Sequence, residues 1–286
     1  MNMTFLHMLV GLTIHMLAGA LPSTWSDDDA GALIQQALEA SQRGDSQQAI
    51  VFATKAIEKD RSRNDGWLVR ARLYEGRSEY GKAAEDYSVV LKREPGDPAL
   101  WQRRGEVNFK QGKAAESIAD FDQYLKLSPE QKPYHWQRGI SLYYAGRYAD
   151  GKRQFELHQT VNPHDVENAA WHFLCTARAD GLAAARKSLI PIEGDARVPM
   201  SQVHALFAGK AKPDDVLKAA EDATATSKRT EPLFYANLYL GLYYEAIGDK
   251  AKAREFILKA AERSKENGYM GDVARVHADM LAKSQK

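Results

Sequence analysis

Apolar and glycine positions recur along this chain at a constant spacing, most clearly between residues 105 and 163. Gly105 recurs as Gly139, and Phe121 recurs as Phe155 at the same distance. Within each unit, apolar residues lie three, four and seven positions apart, as on one face of a helix. A glycine separates the two apolar stretches of a unit, as a tight turn between helices requires. The pattern therefore predicts a series of antiparallel helix pairs.

The same spacing extends beyond this stretch in both directions. Towards the C terminus it passes two periods in which the pattern is weak and then reaches Gly241 and Gly248 in the original phase. Towards the N terminus it links Gly112 with Ser78 and Gly44, Pro129 with Pro95, and Trp101 with Trp67. Four units are therefore in register before the weak region, and one follows it.

These boundaries predict one elongated repeat domain. Residues 30–165 form four repeats, 166–233 two degenerate repeats, 234–267 a further repeat, and 268–286 a helix that caps the apolar end of the stack. The connector 190–200 contains two prolines and a glycine and cannot be helical throughout. It either packs on the stack through its apolar residues or forms a surface loop that binds a ligand.

The N-terminal residues have a different composition. Residues 1–20 carry no charge and end in the small-residue triplet Ala18-Gly19-Ala20, which predicts a cleaved secretory signal. Residues 21–29 then form a polar linker. The alternatives are an uncleaved membrane anchor over residues 3–21 and an internal apolar segment. The favoured interpretation places the protein outside the cytoplasm, in a periplasm or the extracellular space.

Charge and cysteine content limit the possible partners. The chain has 39 Lys and Arg against 38 Asp and Glu, so no overall field favours nucleic acid. Cys175 is the one cysteine, so no disulfide can form within the chain, and we interpret it as a small buried side chain.

No catalytic, cofactor-binding or metal-binding motif is present in the sequence. His164 and His172 are eight residues apart and lack the spacing of zinc ligands on one helix face. An enzyme would have to use the divergent region, where His172, Glu193 and Asp195 are the one polar cluster that could serve. We therefore expect a non-enzymatic protein without cofactor or metal.

The repeat pattern, with its period of about 34 residues, resembles that of tetratricopeptide repeat (TPR) proteins over residues 30–165 and 234–267. The resemblance implies an all-α, right-handed solenoid of about seven repeats, two of them degenerate, plus the capping helix. The sequence of residues 238–261 also resembles NlpI-type TPR lipoproteins of the bacterial envelope, which implies an adaptor that brings proteases and cell-wall hydrolases together. This chain lacks the lipid-bearing cysteine of those proteins.

By the same resemblance, the first helix of each pair lines a concave groove that binds a protein or peptide segment. Gln102 and Arg103 stand where chaperone-binding TPR domains would need Lys or Asn, so a chaperone tail is not the expected ligand. Alternatively, the aromatic residues pack into neighbouring repeats. The predicted groove residues are Val69, Arg72, Arg103, Glu106, Lys110, Trp136, Ile140, Tyr143, Tyr144, Trp171 and Arg178.

The sequence thus predicts an exported TPR scaffold that binds a protein segment and neither nucleic acid nor a small-molecule substrate. Membrane association is expected only if the N-terminal segment stays uncleaved. Two other hypotheses remain at this point. One is a structural protein that self-associates through its ends, and the other is an envelope enzyme with its site in residues 166–233.

Overall fold

The structure, a computed structural model, describes residues 29–283, which form fifteen α-helices and two short 3-10 helices and contain no strand. The predicted signal, the linker before Asp29 and the alternative anchor lie outside the described residues. Eight helices form four consecutive pairs: α1 (Asp29–Gln42), α2 (Ser46–Lys59), α3 (Asn64–Gly76), α4 (Tyr80–Arg93), α5 (Pro98–Lys110), α6 (Ala114–Leu127), α7 (Trp136–Tyr144) and α8 (Tyr148–Gln159).

Seven more α-helices complete the described chain, and the two 3-10 helices cover Pro129–Tyr134 and Ser264–Glu266. Each helix packs mainly against its sequence neighbours, as in a stack of helix pairs. The predicted all-α solenoid is confirmed. None of the described helices is long and apolar enough to span a bilayer. The seven helices are α9 (Val166–Asp180), α10 (Leu182–Lys187), α11 (Met200–Phe207), α12 (Pro213–Ser227), α13 (Glu231–Ala246), α14 (Lys250–Ala261) and α15 (Gly268–Lys283).

The turn within each helix pair requires a left-handed backbone. Gly44, Gly112, Gly146 and Gly248 have φ angles of 81°, 75°, 73° and 88°. Glycine adopts this conformation without the steric cost that a Cβ imposes. Ser78 occupies the same place in the second pair and has a φ of 59°, so the repeat keeps the turn even where the glycine is lost.

A second periodic feature joins neighbouring pairs and was not recognised in the sequence. In the second pair, both Nε and Nη2 of Arg70 on α3 donate to the Asp86 carboxylate on α4, at 2.8 Å each. The third guanidinium nitrogen, Nη1, donates to Thr54 on the preceding α2 at 3.2 Å. Arg70 therefore connects its own helix pair to the preceding pair.

The same arrangement recurs one period later. Arg104 donates to both carboxylate oxygens of Asp120 at 2.9 and 2.6 Å, and to the Ser88 hydroxyl at 2.9 Å. In the fourth pair the two partners are exchanged. Arg138 donates to the Asp122 carboxylate on the preceding pair at 2.7 Å and to the Gln154 amide oxygen within its own pair at 3.1 Å. We call this series the arginine ladder: Arg70, Arg104 and Arg138.

The connector 190–200 packs against the stack. Arg197 bonds to Asp165 and Glu167 at the start of α9, and Met200 at the start of α11 is fully buried. Val198 is among the larger exposed apolar side chains. Pro199 and Met200 are buried, Ile190 and Ile192 are partly buried, and most of the residues between them are exposed. The packing interpretation therefore holds for the two ends of this segment, which ion pairs of Arg197 also attach to α9.

Candidate partner-binding surface

The predicted groove residues fall into two structurally different parts. The first part lies on α3 and α5 and faces solvent, and Leu38 on α1, which was not among the predicted residues, continues it. Arg72 and Arg103 are exposed, and 55% of the Arg103 side chain is accessible. Val69 is partly exposed, as is Leu38 on α1, one period before Arg72. We call this surface the open groove: Leu38, Val69, Arg72, Arg103 and Glu106.

Charges in the open groove are only partly compensated. Arg103 Nη1 lies 3.7 Å from Glu106 Oε2, a weak pair between neighbouring turns of α5. Arg72 forms no ion pair with any described residue. Below them, the buried Tyr87 hydroxyl donates to Glu75, and burial raises the pKa of the Glu75 carboxyl. The rim of the open groove is therefore basic, and its floor carries a shielded acid.

The second part is covered by the C-terminal helices of the same chain. We call it the closed groove: Trp136, Ile140, Tyr143, Tyr144 and Trp171. Each of these is buried or partly buried within the main core cluster. The prediction that they are available as exposed anchors is wrong, because later helices occupy the concave face. The alternative, in which aromatic residues pack inside the stack, describes them.

Glu245 on α13 links the helices that form and cover the closed groove. The Tyr143 hydroxyl donates to Glu245 Oε2 at 3.2 Å, and Arg178 Nη1 donates to Glu245 Oε1 at 3.2 Å. His277 Nε2 on α15 lies 3.5 Å from the same carboxylate, and His277 Nδ1 is 3.0 Å from the Tyr144 hydroxyl. One carboxylate therefore connects α7, α9, α13 and α15. Arg178, predicted as a groove residue, is already engaged by it.

Helix α15 also reaches α5, across the concave face. Lys110 Nζ lies 3.6 Å from Asp272 Oδ2, and Arg275 Nη2 donates to the Lys110 carbonyl at 2.8 Å. The Tyr269 ring stacks on Phe109 at 5.4 Å between centroids. From the sequence, this helix was expected to cap the end of the stack. The structure places it against α14 and also inside the concave face, where it pairs with the predicted groove residue Lys110.

Gly271 offers a direct test of how tightly α15 is held. A Cβ built at Gly271 would lie 1.9 Å from the Ser264 carbonyl oxygen, which is a backbone atom and cannot rotate away. We expect Gly271→Ala to lower the free energy of unfolding by about 1–3 kcal/mol and to speed amide hydrogen exchange in α15. Urea unfolding and hydrogen exchange would measure both effects. Gly76→Ala, with nothing within 4 Å of its added Cβ, is the matched control; equal stability of the two variants would refute the close approach.

The residues proposed for an enzyme make separate contacts. His172 is buried on α9 with Nε2 3.4 Å from Glu156, at the position that continues the arginine ladder by one period. Asp195 receives hydrogen bonds from Arg197, and the Glu193 carbonyl oxygen is 2.9 Å from His164 Nδ1. Within residues 29–283 no group of three or more His, Cys, Asp or Glu is arranged to hold a metal ion. Burial raises the pKa of the Cys175 thiol above its usual range.

Comparison with known proteins identifies the repeat. One family model described as a tetratricopeptide repeat matches residues 34–98 and again 68–132, and a second matches residues 236–267. A tetratricopeptide repeat protein from Parabacteroides merdae superimposes with a TM-score of 0.59 at 16% identity, over 88% of this chain and 98% of that one.

Two further solved structures share the architecture over part of the chain. YrrB, described as a TPR protein with an unusual peptide-binding site, superimposes with a TM-score of 0.53 at 20% identity, over 64% of this chain and 92% of its own. The protein MamA superimposes with a TM-score of 0.51 at 14% identity, over 55% of this chain and 86% of its own. At these identities the likeness establishes the fold alone.

Proposed function

Because this chain is a tetratricopeptide repeat protein, a fold typical of scaffolds for protein interaction, we propose that it binds a protein or peptide segment in the open groove. The observation that carries the proposal is the exposure of Arg72 and Arg103 on the concave helices, beside the part of the groove that the chain fills itself. YrrB, with its peptide-binding site, supports a peptide as the class of ligand.

The chemistry of the open groove suits a segment that carries both a carboxylate and an apolar side chain. Arg72 is free to form a bidentate pair with a carboxylate, and arginine is enriched among residues that dominate binding energy. Leu38 and Val69 supply apolar contact beside it. Since the described part of the chain supplies no ion-pair partner for Arg72, a ligand carboxylate would not have to displace one.

The test is a charge reversal. We expect Arg72→Glu with Arg103→Glu to abolish recovery of partners that the unchanged chain captures from its native host, as quantified by mass spectrometry. The matched control is Arg43→Glu with Lys92→Glu, which makes the same charge change at exposed positions in the α1–α2 turn and on α4. If both double variants recover the same partners in equal amounts, the open groove is not the binding surface.

The proposed setting of this scaffold is outside the cytoplasm, and the proposal rests on the uncharged residues 1–20. In that setting the NlpI resemblance suggests enzymes of the bacterial envelope as partners. Mass spectrometry of the chain purified from its host would test this by reading the mature N terminus. A start at Leu21 would support export, and an intact Met1 with cytosolic partners would contradict it.

A further inference from the structure

A cavity of about 590 Å³ lies between α7, α8, α9 and the start of α15. Its size falls in the range of sites that hold small ligands or single peptide side chains. None of the residues that line it belongs to the open groove, whereas Trp136, Ile140 and Trp171 of the closed groove do line it. Tyr134 forms part of its wall and is 57% exposed, so the cavity borders solvent.

Aromatic rings form much of the wall. Trp136, Phe155 and Trp171 line the cavity together with Tyr134. Phe155 and Trp171 stack with 6.4 Å between their centroids, and the Trp136 and Tyr269 rings form a T-shaped contact with 5.1 Å between their centroids. Faces of such rings attract cations, and indole attracts them most strongly.

The polar end of the cavity carries more negative than positive charge. Asp165 and Glu167 line it, and Arg197 bonds to both, at 2.5 and 2.6 Å. The same guanidinium also pairs with the buried Asp195 at 2.7 Å. Among the residues that the structure describes, no other basic side chain pairs with these three carboxylates.

The Glu167 carboxyl is buried next to the Asp165 charge. Burial, with the neighbouring Asp165 charge, raises the pKa of the Glu167 carboxyl to about 7, although Arg197 and the Tyr239 hydroxyl both bond to it. A second cation beside this carboxylate would relieve the repulsion.

Two polar atoms in the cavity wall have no partner. Asn168 is 2% exposed, and its Nδ2 donates to Gln159 at 2.8 Å, whereas its Oδ1 accepts no hydrogen bond. The buried Trp171 indole Nε1 donates to no acceptor. An unpaired buried donor or acceptor is costly. Neither atom is accessible to solvent, so the selectivity of the cavity rests on its rings and its carboxylates.

We propose that this cavity binds the ammonium or guanidinium group of a lysine or arginine side chain presented on a peptide. The cation lies among the aromatic rings and next to Asp165 and Glu167. This is a second ligand site, independent of the proposed open groove.

Small probes test the proposal on the full chain. We expect N-acetyl-lysine N-methylamide to bind and to shift the indole N–H resonance of Trp171, assigned by Trp171→Phe, in a titration followed by NMR. The norleucine compound, which has the same carbon chain without the ammonium group, should bind at least tenfold more weakly. Free n-butylamine distinguishes a free amine from a lysine side chain on a peptide. If n-butylamine binds with the same affinity as the lysine compound, the amine alone is recognised, and the peptide part of the proposal is overturned.

Variants separate this site from the others. Glu167→Gln and Trp136→Leu should each weaken binding of the lysine probe at least fivefold. Two control variants should leave this binding unchanged: Glu85→Gln in a second cavity between α4 and α6, and Arg72→Glu in the open groove. Circular dichroism confirms that each variant is folded, and Asp165→Asn replaces Glu167→Gln if that chain unfolds. No binding of the lysine probe, or equal binding of the norleucine probe, overturns the proposal without affecting the open groove.

Discussion

Arg104→Ala is expected to lower the free energy of unfolding by about 3–5 kcal/mol, although it removes one side chain from one repeat. The Asp120 side chain is only 4% exposed, and it would keep a single described donor, Asn108 Nδ2 at 2.9 Å. A buried carboxylate that loses its cation strongly destabilises the folded state. The substitution also breaks the bond to Ser88 that ties the third helix pair to the second. Urea unfolding followed by far-UV circular dichroism measures the change.

Two controls identify the cause of that loss. Arg103→Ala removes a neighbouring arginine of which 55% is exposed, and we expect a change within about 0.5 kcal/mol. Arg104→Met combined with Asp120→Leu removes both charges and should recover most of the lost stability, because no unpaired carboxylate remains. If the double variant is no more stable than Arg104→Ala, the penalty does not come from the stranded charge.

Acidification is expected to remove about 3 kcal/mol of stability through His135 alone. This residue caps α7 and is 5% exposed. Its Nδ1 accepts from the Arg138 amide at 3.2 Å and its Nε2 donates to the Gln102 amide oxygen at 2.8 Å, an arrangement that only the neutral ring can make. Burial lowers the pKa of His135 from 6.5 to about 4.

The direction in which the free energy of unfolding changes with pH follows from these two pKa values. Above pH 6.5 the ring is neutral in both the folded and the unfolded chain, and its contribution to folding is complete. Between pH 6.5 and about 4 the unfolded chain binds a proton that the folded chain does not, so stability falls as the pH falls.

His135→Asn keeps an acceptor at the helix N terminus and does not titrate, so it isolates the contribution of the imidazole. Urea unfolding of both chains from pH 8 to pH 4 should show that the unchanged protein loses about 3 kcal/mol more than the variant does. Parallel stability curves would contradict a neutral, buried His135. His172 and His277, whose pKa values are also lowered by burial, titrate in both chains and cancel in the comparison.

The sequence predicted the local structure well because each repeat forms most of its contacts within itself and with the next one. The turn at Gly112 and the aromatic side chain of Phe121 recur with a fixed period, and both act within a single helix pair. The arginine ladder follows the same rule. Arg70, Arg104 and Arg138 recur with the period of the turn glycines, so the spacing that located the turns could also have located the ladder.

The candidate site was harder to predict because its state depends on contacts between distant repeats. Arg72 and Tyr144 both lie on first helices of their pairs, yet Arg72 is exposed and Tyr144 is partly buried beneath α15. No local pattern separates them. The predicted residues Trp136, Ile140 and Trp171 line the cavity, but its acidic end was missed for the same reason. Arg197 and Asp165 are 32 residues apart, separated by α9, α10 and the irregular connector.

The sequence by itself therefore determined the helix pairs and their register, because an amphipathic period of constant length fixes them locally. The tertiary structure alone decided that the concave side is half filled. Small rotations between successive pairs accumulate along a solenoid, and here they bring α15 back to α5, where Arg275 bonds to the Lys110 carbonyl 165 residues away. That return leaves an open groove at one end and an aromatic, acidic cavity at the other.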